Sequence, residues 1–576
     1  MYDKNRIAYF TMEIGLRPGI PTYSGGLGVL AGDTIKSAAD LGLPMVAVTL
    51  LTRKGYFTQE LAEDGTQMEH PVQWDPAQLL EKLPETVPVN IEGRSVLVGV
   101  WKYNVESMTG ASVPVYFLDT DLPENGEEDR TITDHLYGGD QAYRLKQEIV
   151  LGIGGVRMLH ELGINVFKYH LNEGHSALLT LELLQWYRLD IRETWDEKHV
   201  WDQEAVRERC IFTTHTPVEA GHDKFPYDLV DKILGEHIPF DTLKELAGPD
   251  HLNMTMLALN LSNYVNGVAK RHGEVSREMF LGYHIHSITN GVHSYTWTCE
   301  PFRELYNRYL PGWANEPELF VRIDTVADEE VWQTHLESKV KMINRIRERT
   351  GIELSPDILT IGFARRATSY KRADLLFSDI ERLGRIGNGK LQIVYSGKAH
   401  PEDEPGKDLI RRIFAHAKEL SGKVTIVYLP DYNMETACCL VAGVDLWLNT
   451  PLRPMEASGT SGMKAAHNGV PNFSVLDGWW IEGHIEGITG WSIGPHPDEE
   501  RSEGYNGTGD AEDLYGKLES VIMPLYYNDR PGWIRVMKDA IGKNAYFFNS
   551  HRMMRRYVTH AYITTHTNGK MEGNKL

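Results

Sequence analysis

Residues 358–366 read ILTIGFARR, an apolar run of strand-forming residues that ends in two arginines. Similar runs follow at LQIVYSGKA (391–399), KVTIVYLPDY (423–432), VDLWLNTPL (444–452) and GVPNFSVLD (469–477). Each run ends in small or polar residues and precedes a segment that resembles a helix. Such strands, alternating with helices, are typical of parallel sheets covered on both faces. The second half of the chain is therefore predicted to be a doubly wound α/β domain, with its polar groups at the carboxyl ends of strands.

The first half repeats this pattern with PMVAVTLL (44–51), VPVYFLD (113–119) and CIFTTHTP (210–217). Because 576 residues exceed the usual size of one core, we predict two doubly wound, Rossmann-like α/β domains. The amphipathic segment 329–350 is predicted to be a helix that leads into the second domain. The predicted division is 1–295 for the N-terminal domain, 296–545 for the C-terminal domain, and 546–576 for a segment that packs back on the first domain and ends in a frayed tail.

The composition is that of a folded, acidic protein, with 41% hydrophobic residues and a net charge of −21. This charge repels polyanions and argues against nucleic acid as a partner, although a few converging cations could still bind a small anion. No targeting pattern and no apolar stretch of about 18 residues occurs. Four scattered cysteines are too few for a disulfide framework, so we expect buried free thiols in a cytoplasmic protein without a membrane segment.

The segment PMEASGTSGMKAAHNGV (454–470) follows the predicted strand VDLWLNT. Its small residues from Ser458 to Gly462 suit a tight turn at a helix N-terminus, where free N–H groups and the helix dipole attract phosphate. Lys464 would then lie in the first turns of that helix. Such a lysine can be a phosphate counter-charge, a solvated surface group or the partner of pyridoxal phosphate, and on spacing alone the surface position is favoured.

A second segment, FARRATSYKRAD (363–374), places Arg365, Arg366, Lys371 and Arg372 within eight residues of an otherwise acidic chain. A solvated basic helix start is the common outcome for such a pattern. Its position at the end of a predicted strand raises the odds that Arg366 and Lys371 meet one anion.

Two other patterns leave alternatives open. The turn at Gly25, Gly26 and Gly28 does not match a G-x-G-x-x-G fingerprint, so a backbone contact to phosphate or sugar and a packing role are equally compatible with it. The histidines in YHLNEGHSA (169–177) and TTHTPVEAGHD (213–223) match no zinc spacing, so no metal site is expected. A histidine at a strand end can bind a sugar hydroxyl, although a satisfied core histidine is commoner.

Taken in order along most of the chain, these segments resemble the glycogen and α-glucan phosphorylase family. The E-A-S-G-T-x-x-M-K element at 456–464 resembles the family's cofactor-lysine motif. Further matches are GGLG (25–28), RLKQE (144–148), LNEGH (171–175), THT (214–216), ITNG (288–291) and SGKA (396–399). The resemblance implies a glycosyltransferase of GT-B architecture, with two domains facing a cleft. It implies release of glucose 1-phosphate, with retention, from the non-reducing end of an α-1,4-glucan by inorganic phosphate.

The resemblance also implies a role for each matched residue. Lys464 would form the imine with pyridoxal 5′-phosphate, whose phosphate would exchange a proton with inorganic phosphate. The residues that would lie around the coenzyme are Arg365, Thr460, Ser461 and Tyr432. Those that would bind inorganic phosphate are Arg366, Lys371 and the N–H of Gly26. Those that match glucose contacts are His215, Asn290, Glu456, Ser458 and Gly459.

Departures from the longer family members lead to two further expectations, on regulation and on the branch of the family. The chain begins close to the AYFTMEIGL strand, so the phosphorylation and nucleotide control of animal members is not expected. GTSGMK replaces the more familiar GTGNMK, and LDGWWIEGH follows the lysine helix. These features resemble the short bacterial or archaeal branch, and a homodimer is a family expectation.

Three other functions fit parts of the sequence. A nucleotide-sugar-dependent glucan synthase on the same scaffold would use the glycine turn and the cations but would not need Lys464 as an imine. A glycoside hydrolase would need a pair of activated carboxylates, which no segment clearly supplies. A non-catalytic glucan-binding protein would use exposed aromatics such as Trp479 and Trp480 but would have no use for the cations.

Overall fold

The computed structural model describes residues 5–190, 200–497 and 507–563. In these ranges, the strands of the first half are β1 (Asn5–Thr11), β2 (Met45–Leu50), β3 (Thr58–Leu61), β4 (Gln67–His70), β5 (Glu81–Ile91), β6 (Arg94–Glu106), β7 (Ser112–Asp119), β8 (Asn165–Asn172), β9 (Cys210–Thr213), β10 (Lys224–Pro226), β11 (His251–Asn253), β12 (Tyr264–Gly267) and β13 (His286–Ser287). Those of the second half are β14 (Leu359–Ala364), β15 (Leu391–Ser396), β16 (Thr425–Leu429), β17 (Leu446–Asn449), β18 (Asn472–Val475) and β19 (Gly490–Ile493).

The α-helices of the first half are α1 (Gly26–Asp40), α2 (Glu127–Arg130), α3 (Gln141–Ile149), α4 (Gly155–Glu161), α5 (Leu179–Trp186), α6 (Gln203–Arg207), α7 (Tyr227–Ile233), α8 (Phe240–Ala247), α9 (Met254–Asn260), α10 (Lys270–Met279) and α11 (Ser294–Trp297). Those that follow are α12 (Glu300–Tyr309), α13 (Asp328–Thr350), α14 (Ile380–Gly387), α15 (Glu404–Glu419), α16 (Met434–Gly443), α17 (Ser461–Ala466), α18 (Trp480–Gly483), α19 (Asp510–Lys517), α20 (Met523–Asn528), α21 (Arg530–Asp539) and α22 (Ser550–Tyr557). None of these helices has the length and apolar character needed to cross a bilayer.

The second large sheet is parallel throughout, in the order β16-β15-β14-β17-β18-β19. Numbered along the chain, this is the strand order 3-2-1-4-5-6 of a doubly wound sheet. Every strand predicted for this half is present, because buried strands give the continuous apolar runs of a sheet covered on both faces. The order reverses between β14 and β17, so the loops that follow these two strands flank the crevice where such sheets bind ligands.

The first large sheet is mixed, in the order β13-β12-β9-β8-β1-β2-β7-β6-β5. Its seven strands from β13 to β7 are parallel, but β6 and β5 run antiparallel at one edge. The prediction of parallel sheets is therefore confirmed for most of this sheet and wrong for that edge, where β6 follows β5 through the tight turn at Glu92 and Gly93. The strand order reverses between β1 and β8, which creates a second crevice.

Helix α13 leads into the second half of the molecule, and helix α22 returns to the first half. The predicted helix 329–350 is α13, and it ends at Gly351, which adopts the left-handed conformation (φ 72°) that glycine favours at a helix end. Helix α22 packs on α1, where the Ser550 and Ser37 hydroxyls lie 2.5 Å apart. The Tyr562 hydroxyl beyond α22 lies 2.7 Å from His170 Nδ1 in the first sheet. The predicted frayed tail lies outside the described residues.

The four cysteines are free thiols. Cys210 is buried in β9, whereas Cys299, Cys438 and Cys439 are only partly buried. The prediction of buried free thiols is therefore confirmed for one residue and too strong for the other three.

Candidate active site

A cavity of about 730 Å³ lies between the carboxyl ends of the two large sheets. Its wall comes from the loops that follow β1, β8 and β9 in the first sheet and β14 to β17 in the second. Every residue singled out by the sequence resemblance lines this cavity: Gly26, His215, Asn290, Arg365, Arg366, Lys371, Tyr432, Glu456, Ser458, Gly459, Thr460, Ser461 and Lys464. The fold therefore brings together residues that lie more than 400 positions apart in the chain.

The cations of the basic segment separate into three environments. Arg365 Nη2 and Lys371 Nζ both contact Glu456 Oε2, at 2.5 and 2.6 Å. Arg366 faces the cavity, is exposed to its solvent, and makes no hydrogen bond or ion pair within the described part of the chain. Arg372 turns away and donates to the carbonyls of Thr450 and Pro451. Arg366 is therefore the cation of this segment best placed to meet a ligand.

Glu456 is the anionic centre of the cavity. Burial by itself would raise the pKa of this carboxyl, but Arg365 and Lys371 lower that pKa to about 2, so Glu456 is ionised at neutral pH. Its backbone N–H donates to Asp477 Oδ2 at 2.9 Å. A side chain at Gly478 (φ 55°) would bring its Cβ within 2.3 Å of the Ser458 carbonyl, so this close turn requires glycine.

Lys464 lies on α17 with only 6% of its surface exposed. Burial lowers the pKa of its amine to about 8. Its Nζ lies 3.9 Å from the centroid of the Trp297 ring, and no hydrogen bond joins it to the described residues. The solvated surface position that spacing alone favours is thus wrong, because the apolar neighbours of this short helix come from distant parts of the chain.

His215 follows β9, and its Nε2 lies 2.6 Å from Asn172 Oδ1. Burial lowers the pKa of this imidazole to about 3, so the ring is neutral across the physiological range. Since the Asn172 oxygen can only accept, Nε2 carries the proton and Nδ1 is left as an acceptor. A neutral histidine of this kind can accept a hydrogen bond from a sugar hydroxyl.

The glycine turn before α1 is fixed by a buried carboxylate that sequence reasoning missed. Glu13 Oε2 accepts the N–H groups of Ser24 and Gly25 at 2.5 and 3.2 Å, and its Oε1 accepts the Tyr137 hydroxyl at 3.0 Å. A Cβ at Gly25 would lie 3.2 Å from Arg366 Nη2, so the turn and the cation are in close contact. The position of Glu13 just after an apolar strand is the signal that could have drawn attention to it.

Four buried polar atoms on residues that line the cavity have no hydrogen-bond partner in the described part of the chain: His175 Nδ1, Arg365 Nη1, Ser458 Oγ and Asn290 Oδ1. Such atoms are uncommon, because each one carries the cost of its lost hydration. The residues that carry these atoms line the same cavity as Arg366 and Lys464. Their donors and acceptor suit a ligand that carries both anionic oxygens and hydroxyl groups.

Comparison with known proteins agrees with this geometry. The profile of the carbohydrate phosphorylase family matches residues 240–487, which include the basic segment and Lys464. Maltodextrin phosphorylase of Thermococcus litoralis is 42% identical in an alignment that covers 96% of this chain and 70% of that protein. This chain belongs to the carbohydrate phosphorylase family. Glycogen phosphorylases of Aquifex aeolicus (37% identical, covering 97% of this chain and 86% of the relative) and Mycobacterium tuberculosis (36%, 96% and 70%) are also similar.

The family resemblance predicted from the motifs is therefore confirmed. In this carbohydrate phosphorylase, the matched RLKQE segment contributes to a partly buried network of charged side chains whose contacts the sequence did not predict. Arg144 Nε contacts Glu148 Oε1 at 3.3 Å, and Arg144 Nη2 contacts Asp223 Oδ2 at 3.2 Å. Burial, together with the neighbouring Asp223 charge, raises the pKa of Glu148 well above its usual range. The network supports one side of the cavity, which Arg144 lines.

The structure bears on two other kinds of site, a glucan-binding platform of exposed aromatic side chains and a metal site. Trp479 and Trp480 are 3% and 1% exposed, so neither offers the exposed platform that a glucan-binding protein would need. In the described ranges, no three His, Cys, Asp or Glu side chains come close enough together to hold a metal ion.

Proposed function

We propose that this chain is a pyridoxal-phosphate-dependent α-glucan phosphorylase, which transfers the terminal glucose of glycogen, starch or maltodextrin to inorganic phosphate. The observation that supports this most directly is a buried lysine, Lys464, lining the same cavity as the free guanidinium of Arg366. A nucleotide-sugar synthase would use the cation but would have no need for a buried amine with a lowered pKa. The names of the three relatives agree with this activity.

The residues around Lys464 fit pyridoxal phosphate. The amine of Lys464 would hold the coenzyme covalently, since burial leaves a useful fraction of it uncharged near neutral pH. The unpartnered Arg365 Nη1, with the hydroxyls of Thr460 and Ser461, would bind its phosphate. Tyr432 contributes a partly buried aromatic surface to the same wall. When bound, the coenzyme supplies a phosphate group that acts as an acid and base beside the substrate phosphate.

The remaining residues would bind and orient the two substrates. Arg366 would grip inorganic phosphate with its planar guanidinium, and Lys371 would add a point charge. The N–H of Gly26, at the start of α1, would complete that site. These cations would also reduce the repulsion between two neighbouring phosphates.

The glucose unit would lie between the two sheets. His215 and Asn290 would accept hydrogen bonds from its hydroxyl groups, while Glu456 and the loop at Ser458 and Gly459 would contact its other side. Because these groups are held by backbone and side-chain bonds before the sugar arrives, they would orient it at little entropic cost. A cleft filled by the two substrates would also exclude water, which favours phosphorolysis over hydrolysis.

We further propose that residues 1–295 and 296–545 are the two domains facing this cleft, and that the segment from 546 onwards belongs with the first. The contacts of α22 with α1 support the last assignment. A cytoplasmic location and a homodimer are also proposed; the free thiols agree with a reducing compartment.

The activity is tested by incubating the purified protein with a series of maltodextrins, with and without inorganic phosphate, and measuring glucose 1-phosphate. We expect release only with phosphate, and a pyridoxal-phosphate absorbance that Lys464→Ala abolishes together with activity. Lys543→Ala, which alters an exposed lysine, is the matched control. Glucose release without phosphate, transfer from a nucleotide sugar, or full activity of Lys464→Ala without added coenzyme would contradict the proposal.

A further inference from the structure

The amine of Lys464 rests on the face of an aromatic ring. Its Nζ lies 3.9 Å from the centroid of Trp297, and this indole is only 1% exposed. The electron-rich face of an indole attracts an ammonium group, most strongly where water is excluded. The Trp297 ring therefore fixes the position of the amine, a task that a hydrogen-bond acceptor would otherwise perform.

The ring itself is held by a buried carboxylate. Trp297 Nε1 donates to both oxygens of Asp33, at 3.0 and 2.8 Å. Asp33 is 1% exposed and lies on α1, so the acceptor is fixed by a rigid element. An indole plane that is free to rotate would not present one face to the amine, and the bond to Asp33 removes that freedom. The charge of Asp33 also favours the ammonium form of Lys464.

The backbones that carry the lysine and the tryptophan are joined by one side chain. Asn468 Nδ2 donates to the Trp297 carbonyl at 2.8 Å and to the Lys464 carbonyl at 3.0 Å. Its Oδ1 accepts the N–H of Cys299 at 2.8 Å. Asn468 is fully buried, and the partner in each of these three hydrogen bonds is a backbone group. It therefore sets the spacing of α17 and α11, which the chain separates by more than 160 residues.

We propose that Asp33, Trp297 and Asn468 are positioning residues that hold the Lys464 amine in the orientation needed to capture its coenzyme. This inference rests on the proposed pyridoxal-phosphate chemistry. In capture, the uncharged amine nitrogen bonds to the aldehyde carbon, the two amine protons leave with the aldehyde oxygen as water, and no oxidant or reductant is needed. Asp33 favours the charged form of the amine against the burial that lowers its pKa, whereas Trp297 and Asn468 determine the position of the amine. A simple packing role for Trp297 would predict no effect on the capture step.

The test follows covalent attachment of pyridoxal phosphate to the full-length, coenzyme-free chain between about pH 6 and about pH 9, by borohydride trapping and mass analysis of the Lys464 peptide. Two quantities are measured: the plateau rate, which reports orientation, and the pH midpoint, which reports charge. We expect Trp297→Phe to lower the plateau rate about tenfold or more, since the anchoring N–H is lost. Trp313→Phe, which alters an equally buried indole bonded to Asn307, should stay within about twofold of the unaltered chain.

Asp33→Asn provides the second measurement. Its amide oxygen can still accept the indole N–H, so the plateau rate should be largely kept. The pH midpoint should move to lower pH, because the charge that stabilises the ammonium is gone. A normal plateau in Trp297→Phe, or an unchanged or higher midpoint in Asp33→Asn, overturns the positioning role. If the unaltered chain attaches no coenzyme at Lys464, the proposed function fails as well, which distinguishes the two.

Discussion

Two arginines of the basic segment differ in what they contact. Arg366 faces the cavity without a carboxylate partner in the described residues, whereas Arg372, six positions on, makes its bonds within the protein. The Arg372 guanidinium donates to two carbonyls of the loop after β17 and pairs with the buried Asp510 at 2.5 Å. Residue type and spacing cannot separate these duties, because both arginines follow the same strand.

Arg366→Ala is expected to lower kcat/KM for phosphate by about ten- to a hundredfold, equivalent to about 1.5–3 kcal/mol for a lost charge-assisted hydrogen bond. Its unfolding free energy should change by less than about 0.5 kcal/mol, since no bond within the protein is broken. Steady-state kinetics with varied phosphate and urea denaturation measure the two quantities.

Arg372→Ala serves as the comparison. It should lower the unfolding free energy by about 3 kcal/mol, because the buried Asp510 carboxylate loses the guanidinium with which it is paired. An equal loss of phosphate affinity in both variants, with equal stability, would contradict the assignment of Arg366 to the ligand.

The sequence motifs correctly predicted which residues lie together in the candidate site. All of the residues to which the motifs gave a role line one cavity, because most of these motifs follow a strand and strand ends converge at the crevice of a doubly wound sheet. Their individual roles stay predictions. Glu13, Asp33 and Trp297 were missed because their significance lies in partners far along the chain, and no local pattern records such partners.

At the level of elements, the hairpin β3–β4 is the clearest feature that the sequence did not predict. Its strands TQEL and QMEH are short and polar, so they lack the apolar runs that revealed the large sheets. Gln59 and Gln67 are nevertheless 3% and 6% exposed, because they face the loops after β15 and β16. A buried glutamine bonded to a distant backbone gives no signal in a hydrophobicity pattern.

These two glutamines attach the hairpin to the second half of the molecule. Gln59 and Asp431 exchange reciprocal bonds of 3.1 and 2.9 Å, and Gln59 Nε2 donates to the Gly397 carbonyl at 2.9 Å. Gln67 bonds both the N–H and the carbonyl of Ala399, at 3.0 and 2.9 Å. The loop they hold, 397–400, includes Lys398 and His400 of the cavity wall.

The double variant Gln59→Ala, Gln67→Ala should loosen that wall. Each substitution leaves buried backbone groups unpaired, at about 1–3 kcal/mol apiece, so local opening becomes at least about tenfold more frequent. Hydrogen exchange of residues 58–70 and 397–400 should accelerate, and KM for the glucan should rise. The exposed Gln73→Ala is the control. Unchanged exchange in the double variant would show that the hairpin does not support the cavity.

At the scale of the whole molecule, burial of histidine links folding to pH. Burial lowers the pKa values of six histidines to between about 3 and about 4: His170, His175, His215, His222, His272 and His467. His170 also joins the first sheet to the segment after α22, because its ring lies between the hydroxyls of Tyr562 and Thr213 at 2.7 and 2.8 Å. The fold therefore depends on imidazoles that stay neutral.

The sign of the effect follows from the shifts. A histidine whose folded-state pKa is depressed contributes stability that is fully present above its unfolded value of about 6.5 and is lost as the pH falls towards its folded value. Each one removes up to about 1.4 kcal/mol per pH unit in that window. Asp477, whose pKa burial raises to about 7, and Glu148 act in the opposite sense but are fewer.

The unfolding free energy of the whole chain is therefore expected to fall as the pH is lowered from about 6.5 to about 4, by several kcal/mol in total. In His170→Gln one proton fewer is taken up on unfolding, so the slope of the unfolding free energy against pH should be smaller by about 1.4 kcal/mol per pH unit. The glutamine amide can bond the same two hydroxyls without titrating. His70→Gln, at an exposed position, should leave the slope unchanged. Urea denaturation at pH values through this window measures the slopes. A flat profile, or equal slopes for both variants, would mean that the buried imidazoles do not control acid stability.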